Sequence, residues 1–274
     1  MKNKSALRLT EGAVMIALAT VLSMIKLADF PYGGSITAAS IFPIAVVAYR
    51  HGTLFGLACA TVYGGLQQLL GLNTLSYFTS WQSILAIILL DYVIAFAACG
   101  LAGVFRKVNC KPCLKMTCGV VLACTVRYLC HVISGCTVWA GLSIPDSAAL
   151  TYSLAYNATY MIPETLIAAI ATWYLFSMVD FAAPRLKRLP SARADSLPTP
   201  VRACYRTSVL LTVLALCYAI IRVFPLLQDD GGNFDFAGIQ NLNVQSFGIV
   251  LGAFAMVIAV LCLTGIILKQ KRKM

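Results

Sequence analysis

Long hydrophobic segments separated by short polar ones extend over most of the chain. A helix needs roughly 20 predominantly apolar residues to cross the hydrocarbon of a bilayer, and several of these segments reach or approach that length. The pattern predicts eight membrane-spanning helices, over residues 11–27, 35–49, 53–72, 81–104, 116–140, 149–178, 208–226 and 245–268. The second is short and contains Pro43, so we expect it to be tilted or kinked.

The composition agrees with this pattern. Hydrophobic residues make up 60% of the 274 residues and charged residues only 11%, whereas a soluble domain carries about 25% charged residues. The first span has a basic flank and no clear small-residue cleavage site, so we interpret it as a retained helix and not as a cleaved signal. The predicted fold class is therefore an all-α, polytopic membrane protein.

Basic residues cluster in alternate connections between the spans. They precede the first span, lie between spans two and three, four and five, and six and seven, and follow the eighth. If the spans alternate in direction, all these clusters lie on one side, and the positive-inside rule then predicts that both termini are cytoplasmic. This asymmetry explains the net charge of +11 without a nucleic-acid partner. It also favours contact with anionic membrane lipid.

The main break in composition follows the sixth span. Residues 181–206 combine several prolines with Arg, Lys and Ser, a composition typical of linkers. We therefore predict three parts: a six-helix membrane module over residues 1–180, a basic cytoplasmic linker over 181–206, and a two-helix extension over 207–274.

Cys110 and Cys113 form a Cys-x-x-Cys pattern in a predicted cytoplasmic loop. Such a pair can bind metal or exchange thiols, but a structural zinc site needs four ligands and the sequence has no second pair. We interpret both as loop cysteines and expect no metal.

The chain also lacks the phosphate-loop, H-E-x-x-H and G-x-S-x-G motifs. Uphill transport would therefore need energy from a partner or an ion gradient.

Polar and ionisable residues are concentrated in three of the predicted spans. A charge at the centre of a membrane helix costs roughly 2.5–3.5 kcal/mol, so such residues stay where they pair, line a cavity or bind a ligand. On the fifth span, residues spaced by four share one helix face: Arg127, His131, Gly135 and Trp139. The sixth and fourth spans add Tyr152, Tyr156, Asn157, Tyr160, Glu164, Asp91 and Tyr92.

This set of side chains favours a pocket for a flat, cationic, hydrogen-bonding ligand. The Asp91 carboxylate supplies negative charge, and the aromatic rings supply stacking and cation–π attraction. Asn157 and the tyrosines supply directional hydrogen bonds that fix the orientation of a ligand. Because such a ligand is itself a cation, we expect Arg127 and Glu164 to support the pocket from behind and not to contact the ligand.

The same residues have purely structural interpretations. Asp91 and Arg127 could pair with each other inside the bundle. His131 could be a core histidine whose polar atoms are satisfied by its neighbours, and Glu164 could satisfy backbone groups next to Pro163. Aromatic belts at the membrane interfaces could account for Trp81, Trp139 and Tyr152.

Residues 8 to about 180 resemble the thiamine-specific substrate-binding subunit, or S component, of energy-coupling factor (ECF) transporters, the ThiT family. Four stretches carry the resemblance: Leu90-Asp91-Tyr92, Arg127-Tyr128-x-x-His131-Val-Ile-Ser-Gly135, Tyr152-Ser-Leu-Ala-Tyr-Asn157-Ala-Thr-Tyr160-Met-Ile-Pro163, and the turn Pro31-Tyr32-Gly33-Gly34-Ser35. The resemblance implies a six-helix bundle that binds thiamine, with the two C-terminal helices as an addition outside it.

The resemblance also implies roles for individual positions. Asp91 would face the thiamine. Some members of the family carry Glu at this position. The remaining implied substrate-binding positions are Trp81, Tyr92, His131, Gly135, Trp139, Tyr152 and Asn157. An external lid would comprise Tyr32, Gly33, Gly34 and Ser35. Because Gly34 stands where some members carry a stacking Trp, Tyr32 and Phe30 are the candidate substitutes.

Partners follow from the same resemblance. Ala13 and Ala17, four residues apart on the first helix, match the small residues through which the family contacts a transmembrane coupling subunit, and such spacing permits close helix approach. Two ATPase subunits would complete the transporter in a bacterial cell membrane. The implied function is capture of extracellular thiamine, without enzymatic activity or a cofactor in this subunit.

Other classes of function remain open at this stage. One is an S component for another small vitamin or amine. Another is an ion-coupled secondary carrier, although no inverted repeat is apparent between the two halves of the chain. A third is a membrane enzyme that uses Asp91, His131 and Glu164 as acid and base, although no metal or nucleophile motif accompanies them.

Overall fold

A computed structural model describes residues 2–30, 33–140, 149–189, 199–223, 226 and 240–271. The chain divides into two compact units, Met1–Lys187 and Arg188–Met274. The first unit contains the polar residues of the predicted pocket.

The first unit is a helical bundle with one short hairpin. Its helices are α1 (Lys2–Met24), α2 (Phe42–His51), α3 (Thr53–Leu70), α4 (Trp81–Gly103), α5 (Pro112–Thr137) and α6 (Ala149–Met178). Strands β1 (Lys26–Asp29) and β2 (Ser35–Thr37) form an antiparallel hairpin between α1 and α2. A 3₁₀ turn, Leu72–Tyr77, connects α3 to α4. Two further short strands, β3 (Val179–Asp180) and β4 (Lys187–Arg188), follow α6.

The described residues of the second unit include two helices, α7 (Thr199–Val223) and α8 (Val244–Lys271). The Tyr218 and Phe247 rings stack with their centroids 5.9 Å apart, and Cys262 Sγ lies 3.6 Å from Ser208 Oγ. Since Tyr218 precedes the end of α7 while Phe247 follows the start of α8, the two helices run antiparallel.

Most of the predicted spans correspond to helices long enough to cross a membrane. In the described parts of the chain, six helices meet that criterion by length and composition: Ser5–Met24, Trp81–Gly103, Pro112–Thr137, Ala149–Met178, Thr199–Val223 and Val244–Leu268. The 18-residue helix α3 covers most of the predicted third span. At a rise of about 1.5 Å per residue it is roughly 27 Å long.

The predicted second span differs from the structure at its start. Residues 35–37 form β2, and the helix itself covers only the ten residues Phe42–His51. Pro43 lies in the first turn of that helix, where its missing N–H would have had no intrahelical partner. Pro43 therefore begins α2 and does not kink it.

Close backbone approaches hold α4 between α3 and α5. A Cβ on Gly100 would lie 2.3 Å from the Leu57 backbone nitrogen, and one on Gly119 would lie 2.0 Å from the Ala102 carbonyl oxygen. Small residues at such crossings allow membrane helices to pack tightly. The contacts fix α4, which carries Asp91, against α5, which carries His131.

Candidate ligand-binding site

A cavity of about 510 Å³ lies inside the first unit. Residues of α1, the β1–β2 hairpin, α3, the 3₁₀ turn, α4, α5 and α6 line it. Its volume falls within the roughly 300–1,000 Å³ typical of small-molecule sites. The lining combines aromatic rings with a few ionisable groups, and Asp91 is at the centre of their hydrogen bonds.

Asp91 lies in a π-helical segment of α4, Ile88–Ile94. π-Helical turns are rare and occur frequently at functional sites, because the extra residue per turn changes which side chains share a face. Here two consecutive residues, Asp91 and Tyr92, both line the cavity. The Tyr92 hydroxyl also lies 3.1 Å from Thr74 Oγ1 of the 3₁₀ turn.

The Asp91 carboxylate contacts three side chains on or just after α5. Its Oδ1 lies 2.9 Å from His131 Nδ1, and its Oδ2 accepts hydrogen bonds from Ser134 Oγ at 2.6 Å and Trp139 Nε1 at 3.2 Å. An ionised carboxylate only accepts hydrogen bonds, so the Asp91–His131 bond forms when His131 Nδ1 carries a proton. One carboxylate thus orients the imidazole and the indole that line the same cavity.

Aromatic packing supports Trp139 from behind. Its ring makes an edge contact with Phe78 at a centroid distance of 4.8 Å, and both belong to a small core cluster with Ile87. Tyr152 is partly buried and packs against this cluster. It is not among the residues that line the cavity.

Asn157 is 4% exposed and bridges α6 to α5. Its amide nitrogen donates to the Ser153 carbonyl at 2.9 Å and to the His131 carbonyl at 3.3 Å. Its amide oxygen accepts a hydrogen bond from the Tyr160 hydroxyl. These bonds fix the side chain of a residue that lines the cavity beside His131.

Arg127 and Glu164 also line the cavity, and each has contacts away from Asp91. The Glu164 carboxylate accepts hydrogen bonds from Thr37 N at 2.6 Å and Thr37 Oγ1 at 2.7 Å, which ties β2 to α6. The Arg127 guanidinium lies 4.4 Å from the Phe96 ring centroid. Within the described residues Arg127 forms no ion pair, and its Nε has no hydrogen-bond partner. The structural alternative of an Asp91–Arg127 pair is therefore wrong.

The turn of the hairpin closes one side of the cavity. Gly33, Gly34 and Ser35 line it, whereas Tyr32 lies outside the described residues. Gly33 and Gly34 have φ angles of +101° and +90°, a region that favours glycine. The Tyr156 hydroxyl donates to the Gly33 carbonyl at 3.0 Å, which attaches the turn to α6.

The structure brings together six of the eight predicted substrate-binding residues. Those that line the cavity are Asp91, Tyr92, His131, Gly135, Trp139 and Asn157. Tyr152 lies in the cluster behind Trp139. Trp81 is 69% exposed on the first turn of α4 and does not line the cavity. On α1, Ala13 and Ala17 are exposed.

Several lining residues were not among the predicted contacts. Tyr156 and Tyr160 belong to the stripe of tyrosines spaced by four, but spacing alone does not say which end of the stripe faces a cavity. Gln67 of α3 also lines the cavity and donates to Ser23 Oγ at 2.9 Å. A glutamine inside an apolar span was the signal that could have identified it.

These features define the class of protein: a multi-pass, all-helical membrane protein with an internal cavity lined by acidic, imidazole and aromatic side chains. Residues 9–182 match the thiamine transporter protein family (Thia_YuaJ). The chain is 33% identical over 202 residues to the thiamine transporter ThiT of Bacillus subtilis (strain 168), a match that covers 70% of this chain and 99% of that protein. The chain belongs to the thiamine transporter family.

A solved structure of ThiT from Listeria monocytogenes has the same fold. It is 23% identical, with a TM-score of 0.52, and the match covers 63% of this chain and 94% of that one. The predicted family resemblance and the predicted all-helical membrane fold are confirmed. The matched proteins are named as transporters, in agreement with the prediction of a transport protein and not an enzyme. The family match ends before α7, so α7 and α8 lie outside it.

Proposed function

We propose that the chain is the thiamine-binding S component of an ECF transporter. The observation that carries the proposal is the Asp91 carboxylate, held by His131, Ser134 and Trp139 on one wall of a small-molecule cavity. Thiamine is a cation with two flat aromatic rings joined by a methylene group, so a negative charge beside aromatic surfaces suits it. Membership of the thiamine transporter family supports the same ligand.

The charges around the cavity support one orientation of the ligand. Asp91 attracts a cationic ring, and the neighbouring Trp139 ring adds cation–π attraction. Arg127 is 7% exposed and repels a cation. The thiazolium ring therefore binds beside Asp91 and Trp139, away from Arg127, while Asn157 and Tyr92 meet the polar groups of the ligand.

The chain has no phosphate-loop motif, so the energy for uphill transport comes from outside this chain. We assign energy supply to two ATPase subunits, and coupling to a transmembrane subunit that contacts the exposed Ala13 and Ala17 of α1. The positive-inside rule supports cytoplasmic termini in a bacterial cell membrane, and the basic loops on that side favour anionic lipid. Thiamine enters the cavity from outside, and ATP hydrolysis in the partners drives its release inside.

The function is tested by thiamine titration of the purified full-length chain, followed by tryptophan fluorescence. Thiamine is expected to quench the emission in a saturable way because Trp139 lies in the cavity wall. Trp139→Phe should remove most of the quenching, while Trp81→Phe should retain it because Trp81 lies outside the cavity. Absence of any fluorescence change, together with no retention of labelled thiamine by the wild-type protein, would refute the function.

A further inference from the structure

We propose that Arg127 determines the charge of the ligand that the cavity accepts. By offsetting the charge of Glu164, it leaves the lining with one net negative charge, which suits a singly charged organic cation and disfavours a doubly charged one. This inference rests on the proposed function, in which the ligand is thiamine. It makes Arg127 a specificity-determining residue and pairs its charge with that of Glu164.

The charges of the lining nearly balance before a ligand enters. Among the described residues, the acidic, basic and histidine side chains that line the cavity are Lys26, Asp29, Asp91, Arg127, His131 and Glu164. Lys26 and Asp29 pair with each other at 2.7 Å, so their charges cancel. With the His131 ring neutral, two carboxylates and one guanidinium remain. These described residues therefore carry one net negative charge, which is equal and opposite to the charge of thiamine.

The Arg127 guanidinium is buried and charged but not paired. It is 7% exposed, and arginine is not deprotonated in proteins. In the described chain, no nitrogen–oxygen contact within 4.0 Å joins it to Asp91 or Glu164. Its Nε has no hydrogen-bond partner there, and its charge lies 4.4 Å from the centroid of the Phe96 ring. A guanidinium that no contact neutralises acts on any ligand that shares its cavity.

Glu164 supplies the opposite charge without contacting Arg127. It is 2% exposed, and its carboxylate accepts bonds from Thr37 N and Thr37 Oγ1. Buried charges are screened by salt much less than exposed ones, so the fields of Arg127 and Glu164 both extend into the cavity. Removing either side-chain charge therefore changes the net charge that a ligand meets, even where the ligand touches neither residue.

This arrangement discriminates between ligands by charge. A singly charged ligand can place its charge beside Asp91 and away from Arg127. A doubly charged ligand of similar size has to place its second charge elsewhere in the same lining, where the guanidinium repels it in surroundings less polar than water. A repulsive group of this kind is a common source of specificity. Without Arg127, the two carboxylates would favour the doubly charged ligand.

The test is isothermal titration of full-length variants at about pH 8, where an imidazole is ordinarily neutral. The two ligands are thiamine and an analogue of thiamine whose hydroxyl group is replaced by an ammonium group. Arg127→Gln is expected to raise the affinity for the analogue, relative to that for thiamine, about tenfold. Lys107→Gln removes a positive charge at an exposed position outside the cavity lining, and it should keep the wild-type ratio.

Glu164→Gln is the complementary variant, because the amide keeps the shape and an oxygen that accepts a bond from Thr37. It leaves the lining without net charge, so the thiamine Kd is expected to rise about tenfold. Adding Arg127→Gln restores one net negative charge. The double variant is therefore expected to bind thiamine more tightly than Glu164→Gln alone. A merely structural role for the two residues predicts the opposite, since losing both would weaken binding further than losing one.

If Arg127→Gln lowers the yield of folded protein, Arg127→Met replaces it, because methionine packs beside an aromatic ring without a charge. An unchanged ratio of the two affinities in a folded Arg127 variant would overturn the inference. Weaker thiamine binding by the double variant than by Glu164→Gln would overturn it as well. Failure of the wild-type chain to bind thiamine would instead refute the proposed function itself, so the two failures are distinguishable.

Discussion

At the scale of single residues, the site depends on one carboxylate with three side-chain contacts. His131 and Ser134 lie on α5 and Trp139 lies just beyond its end, so Asp91 joins α4 to this part of the wall before any ligand is present. Hydrogen bonds to a charged group are typically stronger than neutral ones. Asp91 is therefore preorganised, and a ligand cation loses little free energy to rearrangement of the site.

Ser134→Ala should weaken this preorganisation. The substitution removes the 2.6 Å bond to Asp91 but leaves the contacts with His131 and Trp139. A bond to a charged group contributes about 1.5–3 kcal/mol, so we expect the thiamine Kd to rise about tenfold. Ser177→Ala is the control, since its hydroxyl bonds to a carbonyl of its own helix. Equal affinity for Ser134→Ala and wild type would show that Asp91 needs no support from Ser134.

Gly34→Ala tests the close approach between the turn and α6. The new methyl group adopts a positive φ, which costs a non-glycine residue about 1–2 kcal/mol, and it meets the Tyr160 ring. We expect weaker thiamine binding and a lower unfolding temperature. Gly65→Ala is a matched control, because its Cβ would meet nothing within 4 Å on α3. Equal thiamine affinity and equal unfolding temperature for Gly34→Ala and Gly65→Ala would show that the close approach between the turn and α6 is unimportant.

At the scale of elements, a second ionic cluster joins α1, α2 and the segment after α6. Arg50 pairs with Glu11 through two bonds, Nε to Oε2 and Nη2 to Oε1, each 2.8 Å long. Its Nη1 donates to the carbonyls of Phe181 and Ala183 at 2.6 and 2.8 Å. His51 Nε2 lies 2.6 Å from the same Glu11 carboxylate. The cluster holds α1, whose exposed face carries the proposed partner contacts.

Arg50→Lys should loosen this cluster because lysine cannot form the two parallel bonds. We expect a loss of about 1–3 kcal/mol in unfolding free energy, seen as a lower thermal unfolding temperature. The thiamine Kd should stay within about twofold, since Arg50 does not line the cavity. Lys107→Gln at an exposed position is the control. A large change in thiamine affinity at unchanged unfolding temperature would contradict the assignment of Arg50 to stability and not to the ligand site.

At the scale of the whole molecule, the cavity belongs to one compact unit. Its lining residues all lie within Met1–Lys187, and none comes from the described residues of the second unit. A truncated chain that ends at residue 189 is therefore expected to bind thiamine with nearly the wild-type Kd. The measurement is a thiamine titration of the folded truncated protein beside the full chain. Loss of binding in a folded truncated protein would show that α7 and α8 contribute to the site.

Hydrophobic length was enough to predict most of the fold, and helical spacing was enough to place His131 and Gly135 on one wall. Trp139 reaches the same wall from just beyond the end of α5, which the predicted span had included in the helix. Other features depend on three-dimensional contacts that spacing does not encode. The hairpin at residues 26–37 is too short to give a periodic signal, so β2 was assigned to a helix. Tyr152 and Tyr156 share a stripe, and only the packing of α6 on α5 determines which one lines the cavity.

In the proposed function, the chain binds thiamine through the Asp91 carboxylate. Isothermal titration of the purified full-length chain with thiamine measures this contact, with Asp91→Asn as the matched variant of nearly equal shape. We predict one thiamine per chain, and a Kd at least about tenfold higher for Asp91→Asn than for the wild type, or roughly 1.4 kcal/mol. No binding by the wild-type chain, or equal affinities for the two proteins, would contradict the claim.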